Sequence, residues 1–171
     1  QDPDRGVALG RTTLGFVNTV EQPIRSADGA VAILMEGEIY DVAGHELATG
    51  QDGEALRAAL TDGPAALRRL NGSFVGACWD ARGQTVTLVN DRFGMRPLYY
   101  TVHGGRFIFA SSLVALLADP GISRQTDKLG LAQFLTYGQY LEETTLLEAI
   151  KVLPAGSTAT FAKDGSLSVE R

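Results

Sequence analysis

The chain has 171 residues, 44% of them hydrophobic and 20% charged, a globular composition whose length suits one domain able to bury roughly 70% of its unfolded surface. A net charge of −5 without a basic cluster excludes a nucleic-acid footprint, and no apolar run approaches the roughly 18 residues that span a membrane. One cysteine permits neither an internal disulfide nor a cysteine zinc cluster, which fits a reducing, cytoplasmic setting.

The chain starts at Gln1-Asp2-Pro3-Asp4, without methionine, so a processed or trimmed N-terminus is expected and a secretory leader is not. Residues 7–9 and 14–20 read as strands, and turns at Gln22-Pro23 and Ala27-Asp28-Gly29 lead into an apolar run from Ala30 to Met35. That run predicts a strand buried on both faces. Residues 50–53 read as a loop, residues 54–60 as a helix, and Pro64 suits the first turn of a second helix over 65–70. Strands are predicted over 73–79 and 85–90, with Gly83 as the turn residue, and over 98–102 and 106–110, joined by His103-Gly104-Gly105. Residues 111–117 and 128–137 read as helices, the second capped by Thr126 or Asp127. Beyond Pro154-Ala155-Gly156, residues 157–161 and 167–169 form a last hairpin across Lys163-Asp164-Gly165. This order implies an α+β sandwich of antiparallel sheets with the helices segregated from them.

Chemistry-bearing motifs are sparse. Cys78 sits mid-strand beside Trp79, with no histidine or helix N-terminus to activate it, and reads as a buried structural thiol. His45 and His103 fall in a polar loop and a turn, and neither is placed as a base or metal ligand. There is no G-x-S-x-G, H-E-x-x-H or Walker loop. The charged stretch Asp91-Arg92-Phe93-Gly94-Met95-Arg96-Pro97 reads as a turn organised by ion pairs. Glu36-Gly37-Glu38, at the end of the apolar run, has two readings: a strand end emerging into water, or acids gripping a cationic group.

Several stretches share one pattern. Gln22-Pro23 and Gly37-Glu38-Ile39-Tyr40 are followed by Leu70-Asn71-Gly72-Ser73-Phe74 with Trp79-Asp80. Then come the Asp91 stretch running on into Leu98-Tyr99-Tyr100, and Phe109-Ala110-Ser111 with Ala115-Leu116-Leu117. Phe134-Leu135-Thr136-Tyr137-Gly138 and Leu153-Pro154-Ala155-Gly156 complete the series. In this order, and over nearly the whole chain from about Pro3, they resemble the glutaminase domain of asparagine synthetases. The resemblance implies the four-layer αββα sandwich of N-terminal-nucleophile hydrolases, here with its first strand and nucleophilic cysteine missing. It also implies glutamine as substrate, ammonia passed to a C-terminal synthetase domain, no cofactor in this domain, and ATP with magnesium in the synthetase domain. A second copy of the chain is a further candidate partner.

Site residues carry over unevenly from this resemblance. Gly37 matches the glycine of the oxyanion hole, and Glu38 and Asp52 match the two acids that hold the substrate ammonium. The hole's asparagine is replaced by Glu36, which as a carboxylate accepts hydrogen bonds and would repel an oxyanion. The arginine that holds the substrate carboxylate is replaced by Thr13. Arg11 lies two residues earlier and, on a strand, would share its face. The expectation is a glutaminase-type domain whose hydrolytic activity is lost or impaired. The alternative is a structural or interaction domain of the kind found in β-lactam synthetases and lasso-peptide cyclases.

Overall fold

The computed structural model describes residues 6–13, 15 and 19–171. In chain order its elements are β1 (Ile24–Arg25), β2 (Val31–Val42), β3 (His45–Glu46), α1 (Asp52–Asp62), α2 (Pro64–Leu67), β4 (Leu70–Asp80) and β5 (Thr85–Asn90). They continue with β6 (Tyr99–His103), β7 (Arg106–Ala110), α3 (Leu113–Leu116), α4 (Lys128–Tyr137), β8 (Lys151–Val152), β9 (Thr158–Ala162) and β10 (Leu167–Glu170). One antiparallel sheet runs β1-β2-β4-β5-β9-β10, with β3 also on β2, and a second runs β7-β6-β8.

Strand alternation sorts the side chains into three cores. On β4, Phe74 and Cys78 join Ile33, Met35 and Ile39 of β2 beneath Leu56 and Ala59 of α1. The intervening Val75 and Ala77 face the other way, meeting Tyr100 of the second sheet and Leu98 just before it. Phe161 of β9 stacks on Phe107 of β7 across the same gap, with centroids 5.1 Å apart. On the far side of the second sheet, Tyr99 and Ile108 pack against Leu116, Ile122 and Ile150. Helices, sheet, sheet and helix therefore stack as an αββα sandwich.

The apolar run is buried as expected, with Ile33 and Met35 at 0% and 2% exposure, and from Glu36 onward β2 alternates exposed and buried. Other expectations shift. Residues 7–9 hold only a single bridge residue, Val7, and no strand. The strand expected over 14–20 falls largely outside the described residues. Helix α1 starts at Asp52, inside the expected loop, and its Gly53 packs where a Cβ would lie 1.7 Å from Ile24 Cδ1. The second helix is only four residues, Pro64–Leu67, and β4 starts at Leu70. In the β4–β5 turn the left-handed residue is Gln84, with φ 52°, not Gly83. The cap of α4 is Asp127, whose Oδ1 accepts from the N–H groups of Leu129 and Gly130 at 2.8 and 3.0 Å.

Candidate functional site

Strand β2 carries a gap along one edge. Strand β1 pairs with it at Ala32 and Ile33, β3 at Asp41 and Val42, and among the described strands none pairs with that edge between them. Buried or half-buried N–H groups there need other acceptors. Gln22 Oε1 accepts from Met35 N at 2.8 Å, and Asp52 Oδ1 accepts from Ile39 N at 2.7 Å. The start of α1 thus sets Asp52 directly against the backbone of β2 at Ile39. Asp52 is thereby tied to the residue that follows Glu38, thirteen positions back in the chain. Gln22 brackets the gap from the other side; a lone glutamine before a proline gave no signal of that role.

Gly37 lies inside the gap with φ 96°, in the left-handed region. A Cβ there would come 2.0 Å from the Ser73 carbonyl and 2.7 Å from Arg96 Nε, so glycine is required both by backbone conformation and by close packing. Arg96 is the group pressed against it. Its Nε donates to the Ser73 carbonyl at 3.2 Å and its Nη1 to Glu36 Oε1 at 3.2 Å. Both side chains stay partly exposed, Glu36 at 47% and Arg96 at 36%, so the pair orients two charges more than it stabilises the fold. Glu36 and Glu38 project from the same face of β2, roughly 6.6 Å apart at two strand steps.

Glu36 and Arg11 line one cavity of about 330 Å³ between the sheets, walled by Leu34, Val75, Leu98 and Phe109. That volume is at the small end of ligand-binding pockets. Glu38 and Asp52 are not among its walls. The strand expected to carry Arg11 onto the site does not form: residues 8–13 are irregular. Arg11 nevertheless reaches the cavity. The Thr13 hydroxyl accepts from the nearby Gly15 N–H at 3.1 Å.

The stretch from Asp91 to Pro97 is organised differently from the expected ion-pair turn. Asp91 is 2% exposed, and its carboxylate accepts from the N–H groups of Phe74, Phe93 and Met95 at 2.9–3.3 Å. Backbone donors, not arginines, offset its burial. Its neighbour Asn90 donates to the carbonyls of Leu153 and Pro154 and accepts from Ser157 N at 2.9 Å, which clasps the second motif loop onto the first. The one ion pair from this stretch among the described residues runs from Arg96 to Glu36, across sixty residues of sequence. Cys78 is buried at 8% exposure, and burial first, then the Asp80 charge, pushes its thiol up to about 11. It is a core residue and not a nucleophile.

Comparison with known proteins places this arrangement. The glutamine amidotransferase domain family matches residues 3–170. Asparagine synthetase [glutamine-hydrolyzing] 3 of Bacillus subtilis is 30% identical over 78% of the chain and 24% of its own length. Asparagine synthetase [glutamine-hydrolyzing] 2 of the same organism is 30% identical over 91% of the chain and 22% of its own length. The chain thus spans about a quarter of the length of these relatives. Among solved structures, glutamine phosphoribosylpyrophosphate amidotransferase from B. subtilis superposes with a TM-score of 0.55 and 18% identity, covering 88% of this chain and 31% of that one. That likeness is one of fold, the N-terminal-nucleophile sandwich. With the family match covering almost every residue, this chain belongs to the glutamine amidotransferase domains, as a member of the asparagine synthetase family.

Proposed function

We propose that this domain keeps the amino-acid grip of a glutamine amidotransferase while having lost, or nearly lost, the ability to hydrolyse glutamine. In this reading Glu38 and Asp52 hold a substrate ammonium by charge-assisted hydrogen bonds, and Arg11 is the candidate for its carboxylate. The single observation that carries the loss is Glu36. It stands beside Gly37, on the wall of the inter-sheet cavity, where a forming oxyanion would need a hydrogen-bond donor. A carboxylate donates nothing and repels the charge. Losing one such donor typically costs about 10²–10³ in rate. The parent polypeptide would use ATP and magnesium, and the amide chemistry, in a synthetase part beyond this chain.

The test is ammonia release from glutamine by the parent polypeptide, as natural protein and as Glu36→Asn. The natural protein is expected to release no more than the buffer blank. A turnover typical of enzymes, at or above about 1 s⁻¹, would overturn the reading.

The rival reading, a pure interaction domain, draws on a separate observation. Helix α4 buries only Gly130, while Leu129, Phe134, Leu135 and Tyr137 are 61%, 47%, 76% and 64% exposed. Exposed apolar side chains distributed around a helix in this way mark a docking surface. The occupant we assign to it is the synthetase part of the parent, because the relatives run to roughly four times this chain's length. The two readings separate on amino-acid binding, which a pure docking module lacks.

A further inference from the structure

The Glu36–Arg96 pair has consequences for which ligand the cleft accepts. We propose that Glu36, held in place by Arg96, selects α-amino acids whose side chains end in N–H donors and rejects the acidic side chain of glutamate. This rests on the reading that Glu38 and Asp52 grip the ammonium of an amino acid.

The cleft is polar at its β2 edge and has an apolar wall between the sheets. An amino acid anchored at Glu38 and Asp52 and lying along β2 places its side-chain terminus near Glu36, since two strand steps of roughly 6.6 Å match an extended side chain of that length. The cavity of about 330 Å³ opens at the Glu36 end and has room for that side chain. What it meets there is a carboxylate with fixed orientation. Glu36 Oε1 accepts from Arg96 Nη1, and no hydrogen bond among the described residues engages Oε2. Arg96 cannot swing away freely, because its Nε is tied to the Ser73 carbonyl and its body lies against Gly37. The exposed acceptor is thus held at one place by a partner that is itself anchored.

An acceptor-only group sorts ligands by chemistry. A side-chain ammonium, a guanidinium or a carboxamide nitrogen can donate to it, whereas a carboxylate meets like charge. Glutamine is then held with its amide nitrogen, and not its carbonyl oxygen, toward position 36. That orientation leaves the carbonyl without polarisation and makes glutamine a bound ligand. Arg96 acts through Glu36 and is a positioning residue.

Calorimetric titration of the chain with glutamine, ornithine and glutamate tests this, alongside Glu36→Gln, Arg96→Met and Glu38→Gln. Both variants of the pair alter half-exposed side chains, and a thermal melt checks that each stays folded. Expected is at least a tenfold preference for glutamine and ornithine over glutamate in the natural chain. That preference should shrink to about threefold or less in Glu36→Gln and fall partway in Arg96→Met, where the carboxylate is present but no longer fixed. Glutamate binding as tightly as glutamine overturns the proposal while leaving the ammonium grip intact, and so does a preference unchanged in Glu36→Gln. If no amino acid binds, or if Glu38→Gln leaves glutamine binding unchanged, the grip itself is wrong and the selection falls with it.

Discussion

At the scale of single residues, the two most instructive carboxylates behave in opposite ways. Asp91 is buried and surrounded by backbone donors, so its removal strands the N–H groups of Phe74, Phe93 and Met95. Asp91→Ala is expected to destabilise the fold by about 3 kcal/mol, read from chemical denaturation; a loss below about 1 kcal/mol would mean that water replaces it freely. Glu36 is half exposed and, among the described residues, paired only to Arg96, so its removal should cost the fold little. Cys78 adds a dependence on pH. Its thiol is raised from the ordinary 9.0 to about 11, so the unfolded chain ionises first as the solution becomes alkaline. Its contribution is complete below about pH 9 and is lost as pH rises toward 11. Denaturation midpoints across that window should fall, with a smaller fall in Cys78→Ala. Burial and the Glu143 charge also raise Tyr100, to about 12, and extend the same trend upward.

At the scale of elements, the sequence carried the regular pieces and missed those set by contact. The apolar run of β2, the hairpin at Gly104-Gly105 and the helix of residues 128–137 follow from composition and turn chemistry, and all three are present. Strands of two residues, such as β1, β3 and β8, carry no periodicity that could reveal them. The candidate site divides the same way. Its residues at Glu36, Gly37, Glu38 and Asp52 were legible through the family pattern, and Arg96 lay within a recognised motif. That Arg96 turns to Glu36, and that Gln22 closes the other side of the β2 gap, depends on tertiary packing between distant segments. The gap makes Gly37 the most sensitive point of β2. Gly37→Ala combines a left-handed backbone with a clash on the Ser73 carbonyl, and should lower the melting temperature by several degrees, at a cost of about 2 kcal/mol or more. A variant that melts like the natural chain would show that β2 can shift to relieve both.

At the scale of the whole molecule, the proposed reading uses two separate surfaces, a cleft along β2 and the exposed apolar side chains of α4. They make separable demands. Leu135→Glu on α4 touches no core, so it should change the stability of this chain by less than about 0.5 kcal/mol while weakening its association with a synthetase partner in pull-down or sedimentation. Unchanged association would remove α4 from the docking surface. The reading proposed for the cleft makes the sharper demand, that glutamine be bound and left intact. Equilibrating the parent polypeptide with isotopically labelled glutamine, and following both the bound fraction and the chemical fate of the label, tests binding and hydrolysis in one sample. Saturable binding that disappears with Glu38→Gln, with the label recovered as glutamine after prolonged incubation, is the expected result. Steady conversion of the label to glutamate by the natural protein would contradict it.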